Sequence, residues 1–293
     1  MVVISVFMLW FSSYSTAYLE AILSCIFILS FGVLHGSNDI QLLHRAYRHK
    51  QSQFSVYKAI ILYVLVVLGI LGLFAMWPQL ALPLFLLISG FHFGEQHWST
   101  NVKQKSVFNI LFFSLYGLFI LFMLFYVQRE QVVPVLRELS GIAVPPSLLG
   151  ILFLVSGIGL VVTAMFLYLN KVLTIRFLEE AFILVLLFII FNVTTLIWSF
   201  SIYFILWHSI PSLRDQLVFL YGRSSRATFV RYLRTSLPYW LISIAGLGIL
   251  YFFLKDNMDQ MLSILVYFLA AITFPHVLVI SFWESRIKSS PES

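Results

Sequence analysis

The sequence predicts an all-α protein, a polytopic integral membrane helix bundle with about eight to nine transmembrane helices. Hydrophobic residues make up 61% of the 293-residue chain and charged residues only 10%, whereas ordinary soluble domains carry about 25% charged residues. The chain also contains a series of apolar stretches of roughly 20 residues, which is the length that a helix needs to cross a bilayer. These observations together exclude an ordinary soluble domain.

The predicted spans follow one another without a long polar tail or linker, so residues 1–293 are expected to form a single membrane-embedded domain. The apolar N-terminal segment has no preceding basic residue and no clear cleavage site, and we assign it to the membrane body rather than to a signal peptide. The first span is expected to continue helically to Leu43. The spans are predicted over residues 17–34, 56–77, 79–98, 107–127, 147–169, 177–210, 235–254 and 260–283.

The stretch 177–210 is too long for one crossing at about 1.5 Å per residue. Polar Asn192, Thr194 and Thr195 lie near its middle, so we divide it there into two short spans. This division places the arginine-rich loop after Pro211 on the same side as the basic first loop, which is the cytoplasmic side by the positive-inside rule. The N-terminus is therefore expected outside, and the protein is expected in the cell membrane (inner or plasma membrane) as a multi-pass protein.

The net charge of +6 is explained by these cytoplasmic loops, and no nucleic-acid partner is predicted. Cys25 is the only cysteine, which excludes an internal disulfide and a multi-cysteine metal site. No Ser-His-Asp constellation is evident, so no catalytic side chain is predicted beyond a metal site.

Histidines within or at the ends of spans are the main functional signal, because ionisable residues in a membrane are costly and usually functional. Four of them lie on predicted spans that run from outside to inside, at a similar depth in the cytoplasmic half of the membrane. Imidazole is a common metal ligand, and a bundle core builds metal sites from facing helices. The expected metal ligands are His35, His92, His208 and His276.

Other polar residues near these histidines have alternative roles. His97 is five residues from His92, so on a helix the two point about 140° apart, and His97 is equally consistent with an interfacial histidine. Asp39 lies four residues after His35 and is expected on the same helical face, and Glu95 lies three residues after His92. Either carboxylate could hydrogen-bond a ligating ring or bind the metal directly. Asp39 could equally be a helix-end carboxylate paired with Arg45 or Arg48. His44 lies among basic residues and is expected to face solvent or lipid headgroups.

The ordered histidine motifs resemble the Brp/Blh family of β-carotene 15,15′-dioxygenases. The family pattern of HG-x-x-D, HFG, WHS and PH corresponds here to segments 35–39, 92–94, 207–209 and 275–276, so the resemblance covers about residues 30–282. It implies a membrane enzyme with a non-haem Fe(2+) held by histidines. Such an enzyme cleaves β-carotene or a similar apolar carotenoid with O2 at the central 15,15′ double bond. The two all-trans-retinal molecules would supply a microbial rhodopsin.

The chain departs from the family pattern at one position. The family often has a second histidine four residues after that of the WHS motif, where this chain has Ser212. Ser212 therefore joins Asp39, Glu95 and His97 as a candidate to support the ligands or to replace one of them. We therefore expect His276 to be the fourth ligand because of its depth in the membrane, and His97 is the alternative fourth ligand. Other carotenoid-modifying membrane enzymes remain an alternative, although the HxxxH and HxxHH boxes of di-iron enzymes are missing. A metal or proton transporter is a further alternative, but a proton relay would spread its ionisable groups across the membrane.

Overall fold

The computed structural model describes residues 1–49, 55–102, 106–256 and 261–287, and the described residues are helical apart from their connections and one isolated bridge between Val102 and Leu173. The all-α prediction is confirmed. The helices, in chain order, are α1 (Val2–Ser12), α2 (Ala17–Phe27), α3 (Asp39–His49), α4 (Val56–Met76), α5 (Pro78–Trp98), α6 (Val107–Val127), α7 (Arg129–Ser140), α8 (Pro146–Leu169), α9 (Phe177–Val193), α10 (Leu196–Ile202), α11 (Ile210–Tyr221), α12 (Arg226–Leu254) and α13 (Met261–Ile287).

Six helices within the described ranges are long and apolar enough to cross a membrane, which makes the chain a multi-pass membrane protein. They are α4, α6, α8, the combined segment Leu196–Tyr221, α12 and the part of α13 up to Phe282. Three further expected spans are helical but are not among these six. Ala17–Gly32 and α9 are shorter than the six, and the second half of α5 is rich in polar residues. The number of crossings and the external N-terminus stay predictions.

The expected break in the long apolar stretch is present, since α9 ends at Val193 and α10 begins at Leu196. That each part crosses the membrane stays a prediction. The side chain of Gln128 donates to the carbonyls of Phe191 and Thr194, at 2.6 and 2.7 Å. These bonds satisfy carbonyl groups that a helix end leaves without partners. The break is therefore built into the bundle by a buried polar contact.

The expected continuation of the first helix to Leu43 is wrong. After α2 the chain forms a π-helical segment, Ile28–Gly32, and then a turn over residues 35–38 before α3 begins at Asp39. Glycine, serine and asparagine in this turn favour such a conformation. The argument that His35 and Asp39 share one helical face therefore does not apply.

Three helices were not predicted: α1, α7 and α11. The helix α11 lies where an arginine-rich loop was expected after Pro211. The amphipathic α7 ends at Gly141, which adopts the left-handed conformation (φ 71°) typical of a helix C-cap. A second π-helical segment, Tyr203–Ser209, joins α10 to α11. The first π-helical segment ends three residues before His35 and the second contains His208, and π-bulges occur frequently at functional sites.

The chain folds into two compact units, which are described separately. Unit 1 comprises Met1–Ile28 and Leu82–His208. Its centre is the pairing of α6 with α8, in which the rings of Phe119 and Phe153 stack at 5.1 Å between centroids, and α9 and α10 pack against α6. The buried carboxylate of Glu20 accepts hydrogen bonds from the backbone and hydroxyl groups of Thr195, at 3.2 and 2.6 Å.

Unit 2 comprises Leu29–Ala81 and the described residues from Ser209 onward. Here α13 packs against α3, α4 and α12, and α11 packs against α3 and α12. One buried cluster joins Leu42 of α3 to Val279 and Ile280 of α13. Nothing in this division tests the expectation of a single domain, which stays a prediction.

Candidate metal centre

In unit 2, the predicted ligands His35 and His276 lie side by side. Their ring centroids are 4.9 Å apart and the rings are perpendicular, at 89°. Both side chains are buried, with 5% and 4% of their surface exposed. His35 begins the turn before α3, and His276 follows Pro275 within α13. Tertiary packing thus brings together two imidazoles that are far apart in sequence.

Asp39 fixes the orientation of the His276 ring. Its Oδ1 atom lies 2.8 Å from Nδ1 of His276, and its Oδ2 atom accepts a hydrogen bond of 3.1 Å from the hydroxyl of Tyr63 on α4. Asp39 is 2% exposed. A ring whose Nδ1–H is donated to a carboxylate presents Nε2 as its unprotonated nitrogen. The carboxylate therefore leaves His276 suitable as a metal ligand through Nε2.

The turn that carries His35 is anchored to α12. The side chain of Asn38 donates to the hydroxyl of Ser236 at 2.8 Å and to the carbonyl of Tyr232 at 3.2 Å. The hydroxyl of Tyr232 lies 3.1 Å from the His35 carbonyl and 2.8 Å from Oε1 of Gln216. All of these side chains are buried. A turn buried among apolar helices needs such partners for its backbone, and they hold His35 in place.

In unit 1, the predicted ligands His92 and His208 form a second buried pair. Their ring centroids are 4.8 Å apart at an angle of 74°, and they are 2% and 1% exposed. Aromatic rings surround His208: Phe93 contacts it edge-on at 4.7 Å, and Phe204 stacks on it at 5.6 Å. His92 lies on α5, and His208 lies in the π-helical segment. The surroundings of this pair are largely apolar, which excludes water.

Glycines set the position of α5 against α6. A Cβ atom on Gly94 would collide with the backbone carbonyl of Phe113, and one on Gly117 would collide with that of Gly90. Gly90 and Gly94 are four residues apart, the spacing at which small residues let membrane helices approach closely. The close approach of α5 to α6 therefore requires glycine, and it fixes the part of α5 that carries His92.

His97 lies elsewhere on α5 with partners of its own. Its Nε2 atom is 3.2 Å from both carboxylate oxygens of Glu180 on α9, and its ring stacks on Tyr116 at 4.8 Å. The hydroxyl of Tyr116 also donates to Glu180, at 3.3 Å. Because α5 is continuous from Pro78 to Trp98, His92 and His97 point in different directions. These contacts give the His97 side chain a structural role that requires no metal.

The two remaining predicted residues occupy different surroundings. Glu95 is half-buried on α5, one turn after His92. Ser212 is buried in α11, where its hydroxyl accepts a hydrogen bond of 3.2 Å from Gln216. Gln216 in turn contacts Tyr232, so Ser212 belongs to the same polar chain that anchors the turn of His35.

Sequence reasoning missed Tyr63 and Tyr232, which complete the polar surroundings of the unit 2 pair. Each is a tyrosine within a long apolar helix, and a hydroxyl in the middle of such a helix usually seeks a buried partner. That general signal singles out neither residue, because the chain has 14 tyrosines. Only the folded structure shows which of them reach Asp39 and the turn.

Comparison with known proteins agrees with the histidine pattern. A family model described as "Beta-carotene 15,15'-dioxygenase" matches residues 26–284, which include both histidine pairs. No curated protein and no solved structure matches the chain.

Proposed function

The chain belongs to the β-carotene 15,15′-dioxygenase family and is an enzyme of that kind, and from this we propose that it cleaves β-carotene at its central double bond. The second substrate is O2, and the products are two molecules of all-trans-retinal. The observation that supports the proposal most strongly is that the match covers most of the chain and includes the four histidines, which the fold places in two buried pairs. The carotenoid and O2 follow from the family, whereas the central position of cleavage is our proposal.

We propose a ferrous ion as the cofactor, with the four histidines as its ligands. His35, His92 and His208 would each provide one imidazole nitrogen, and His276 would be the fourth ligand. The donor set fits such an ion, because imidazole suits iron and these rings are buried. When bound there, ferrous iron would supply the capacity to activate O2.

The protein's own residues would orient these ligands and exclude water. Asp39 holds the His276 ring, with Tyr63 as its second partner. Phe93 and Phe204 cover the His208 ring. Apolar surroundings of this kind also suit a polyene that partitions into the bilayer, since such a substrate can enter from the lipid without passing through water. No protein nucleophile is required when both oxygen atoms come from O2.

We further propose that the enzyme acts in the cell membrane and that its retinal supplies a microbial rhodopsin. Both proposals extend the family assignment and the six membrane-length helices.

The direct test is expression in a bacterium that accumulates β-carotene, followed by extraction of the pigment under air. We expect the colour to fade and retinal to appear in a ratio of about two molecules for each β-carotene lost, since central cleavage is symmetric. Alanine variants of His35, His92 and His208 should insert into the membrane but neither retain iron nor form retinal. His44→Ala is the matched control, since this histidine belongs to neither pair.

Two results would contradict the proposal. Intact carotene in cells that contain inserted, iron-loaded protein would exclude β-carotene as the substrate. An apocarotenal of another length would exclude central cleavage while leaving a carotenoid oxygenase.

A further inference from the structure

A basic cleft is formed in unit 2, and neither His35 nor His276 is among its lining residues. Its volume is about 580 Å³ and it is bounded by α3, by the turn after α11 and by the start of α12, a size within the usual range of ligand sites. The residues that line this basic cleft are Gln41, His44, Arg45, Leu220, Tyr221, Gly222, Arg223, Thr228 and Arg231.

The charged lining residues are all basic. Arg45, Arg223 and Arg231 are solvent-exposed, and no aspartate or glutamate is among the lining residues. Across the part of the chain that the structure describes, none of these three guanidinium groups lies within salt-bridge distance of a carboxylate. The cleft therefore concentrates positive charge that the described carboxylates do not neutralise, and it is complementary to an anion.

Two of the arginines are held in position before any ligand binds. The loop of Arg223 is fixed by a capping box at the start of α12, in which the Thr228 hydroxyl also donates to the Arg223 carbonyl at 3.1 Å. The guanidinium of Arg231 lies 5.0 Å from the ring centroid of Tyr221, a cation–π contact. Ordering these groups in advance lowers the entropy lost on binding.

The position of the cleft identifies the source of the anion. The candidate membrane span α12 begins at Arg226, directly beside the cleft, and lipid headgroups lie at the ends of such spans. The planar guanidinium fork matches the oxygens of a phosphate group. Basic residues at the end of a span also attract anionic lipids. We propose that the basic cleft binds the phosphate headgroup of an anionic phospholipid, a role separate from carotenoid cleavage.

The test uses the full-length protein in nanodiscs or detergent with defined lipids, and native mass spectrometry to measure the lipid that remains bound. Phosphatidylglycerol is the anionic probe and phosphatidylcholine the zwitterionic one. The double variant Arg45→Gln/Arg231→Gln should retain phosphatidylglycerol about thirtyfold less well, from roughly a fivefold loss per arginine. The double variant Arg214→Gln/Arg234→Gln removes the same charge from exposed positions on α11 and α12 outside the cleft lining, and it should bind like the wild type.

Additional measurements separate lipid binding from catalysis and from loss of folding. Both variants should form retinal at wild-type levels, which separates lipid binding from catalysis and shows that they fold. If the double variant proves unstable, Arg45→Lys serves instead: it keeps the charge, loses the bidentate fork, and should bind phosphatidylglycerol less tightly than the wild type does. Equal loss in the cleft and control variants, equal binding of both lipids, or displacement of the lipid by millimolar inorganic phosphate would each overturn the assignment to a lipid headgroup.

Discussion

Asp39 and His276 form a buried hydrogen bond that joins α3 to α13, with 2.8 Å between Oδ1 and Nδ1. The second carboxylate oxygen accepts the hydroxyl of Tyr63, so a chain of three side chains from three helices ends at a proposed metal ligand. Partners of this kind set the tautomer and orientation of ligating histidines. The relationship makes the ligand role of His276 testable through residues that would not themselves touch the metal.

Replacement of Asp39 by asparagine should weaken metal binding by about 10- to 100-fold, the usual cost of losing such a partner. The amide keeps the size of the side chain but removes the negative charge that favours the Nδ1–H tautomer. Iron content of the purified protein, measured by mass spectrometry across a range of iron concentrations, reports the change. Asp256→Asn, at an exposed position, is the control. Unchanged iron affinity in Asp39→Asn would show that His276 is not oriented by this carboxylate for a metal.

The variant Tyr63→Phe should lower the free energy of unfolding by about 1–3 kcal/mol, since it removes one hydrogen bond to a buried carboxylate. Its effect on iron affinity should be smaller than that of Asp39→Asn, because the Asp39–His276 bond remains. Thermal unfolding in detergent measures the change in stability, and iron titration measures the change in iron affinity. Tyr57→Phe on the same helix is a suitable comparison, as Tyr57 is 81% exposed. A larger loss of iron in Tyr63→Phe than in Asp39→Asn would contradict this order of effects.

The variants His276→Ala and His97→Ala distinguish the two candidates for the fourth ligand. We expect His276→Ala to lose most of its iron. We expect His97→Ala to keep it and instead to lose stability, because Glu180 retains only the Tyr116 hydroxyl of its two partners. His97→Gln, which restores a hydrogen-bond donor, should recover part of that stability. The opposite pattern of iron loss would assign the fourth position to His97.

The replacement of Gly94 by alanine should destabilise the protein by about 1–3 kcal/mol, as is typical when a side chain is forced into a packed contact. The added methyl group would meet the Phe113 backbone, which cannot move aside as a flexible side chain would. Gly72→Ala on α4 is the matched control, because nothing lies within 4 Å of its added Cβ. This control should be neutral or stabilising by up to about 1 kcal/mol. Equal unfolding temperatures for the two variants would disprove the tight α5–α6 contact.

Removal of the metal should abolish retinal formation reversibly. After treatment with a ferrous chelator, Fe(2+) should restore cleavage and Zn(2+) should not, since zinc has no redox chemistry with which to activate O2. Retinal formation under air, measured by chromatography, is the readout, and binding of both ions is checked by mass spectrometry. Full activity in protein shown to be free of iron would refute the proposed cofactor.

Much of the fold could be predicted because membrane insertion depends on local properties of the chain. A run of apolar residues specifies a helix wherever it lies, since every backbone polar group must be satisfied within the segment. The break between Val193 and Leu196 was predictable for the same reason, as polar side chains interrupt an apolar run there. The turn at His35 was not, because it depends on Asn38 and Tyr232 meeting across almost 200 residues of sequence.

The sequence by itself determined the membrane class and the helical architecture, and it singled out four histidines as expected ligands, because these features depend on composition, segment length and residue type. Only the tertiary structure decided that His35 pairs with His276, that His92 pairs with His208, and that Asp39 contacts His276. The physical reason is that apolar helix faces are chemically alike, so the choice of neighbour rests on small residues and a few buried hydrogen bonds. Those contacts join residues distant in sequence, and no local pattern reports them.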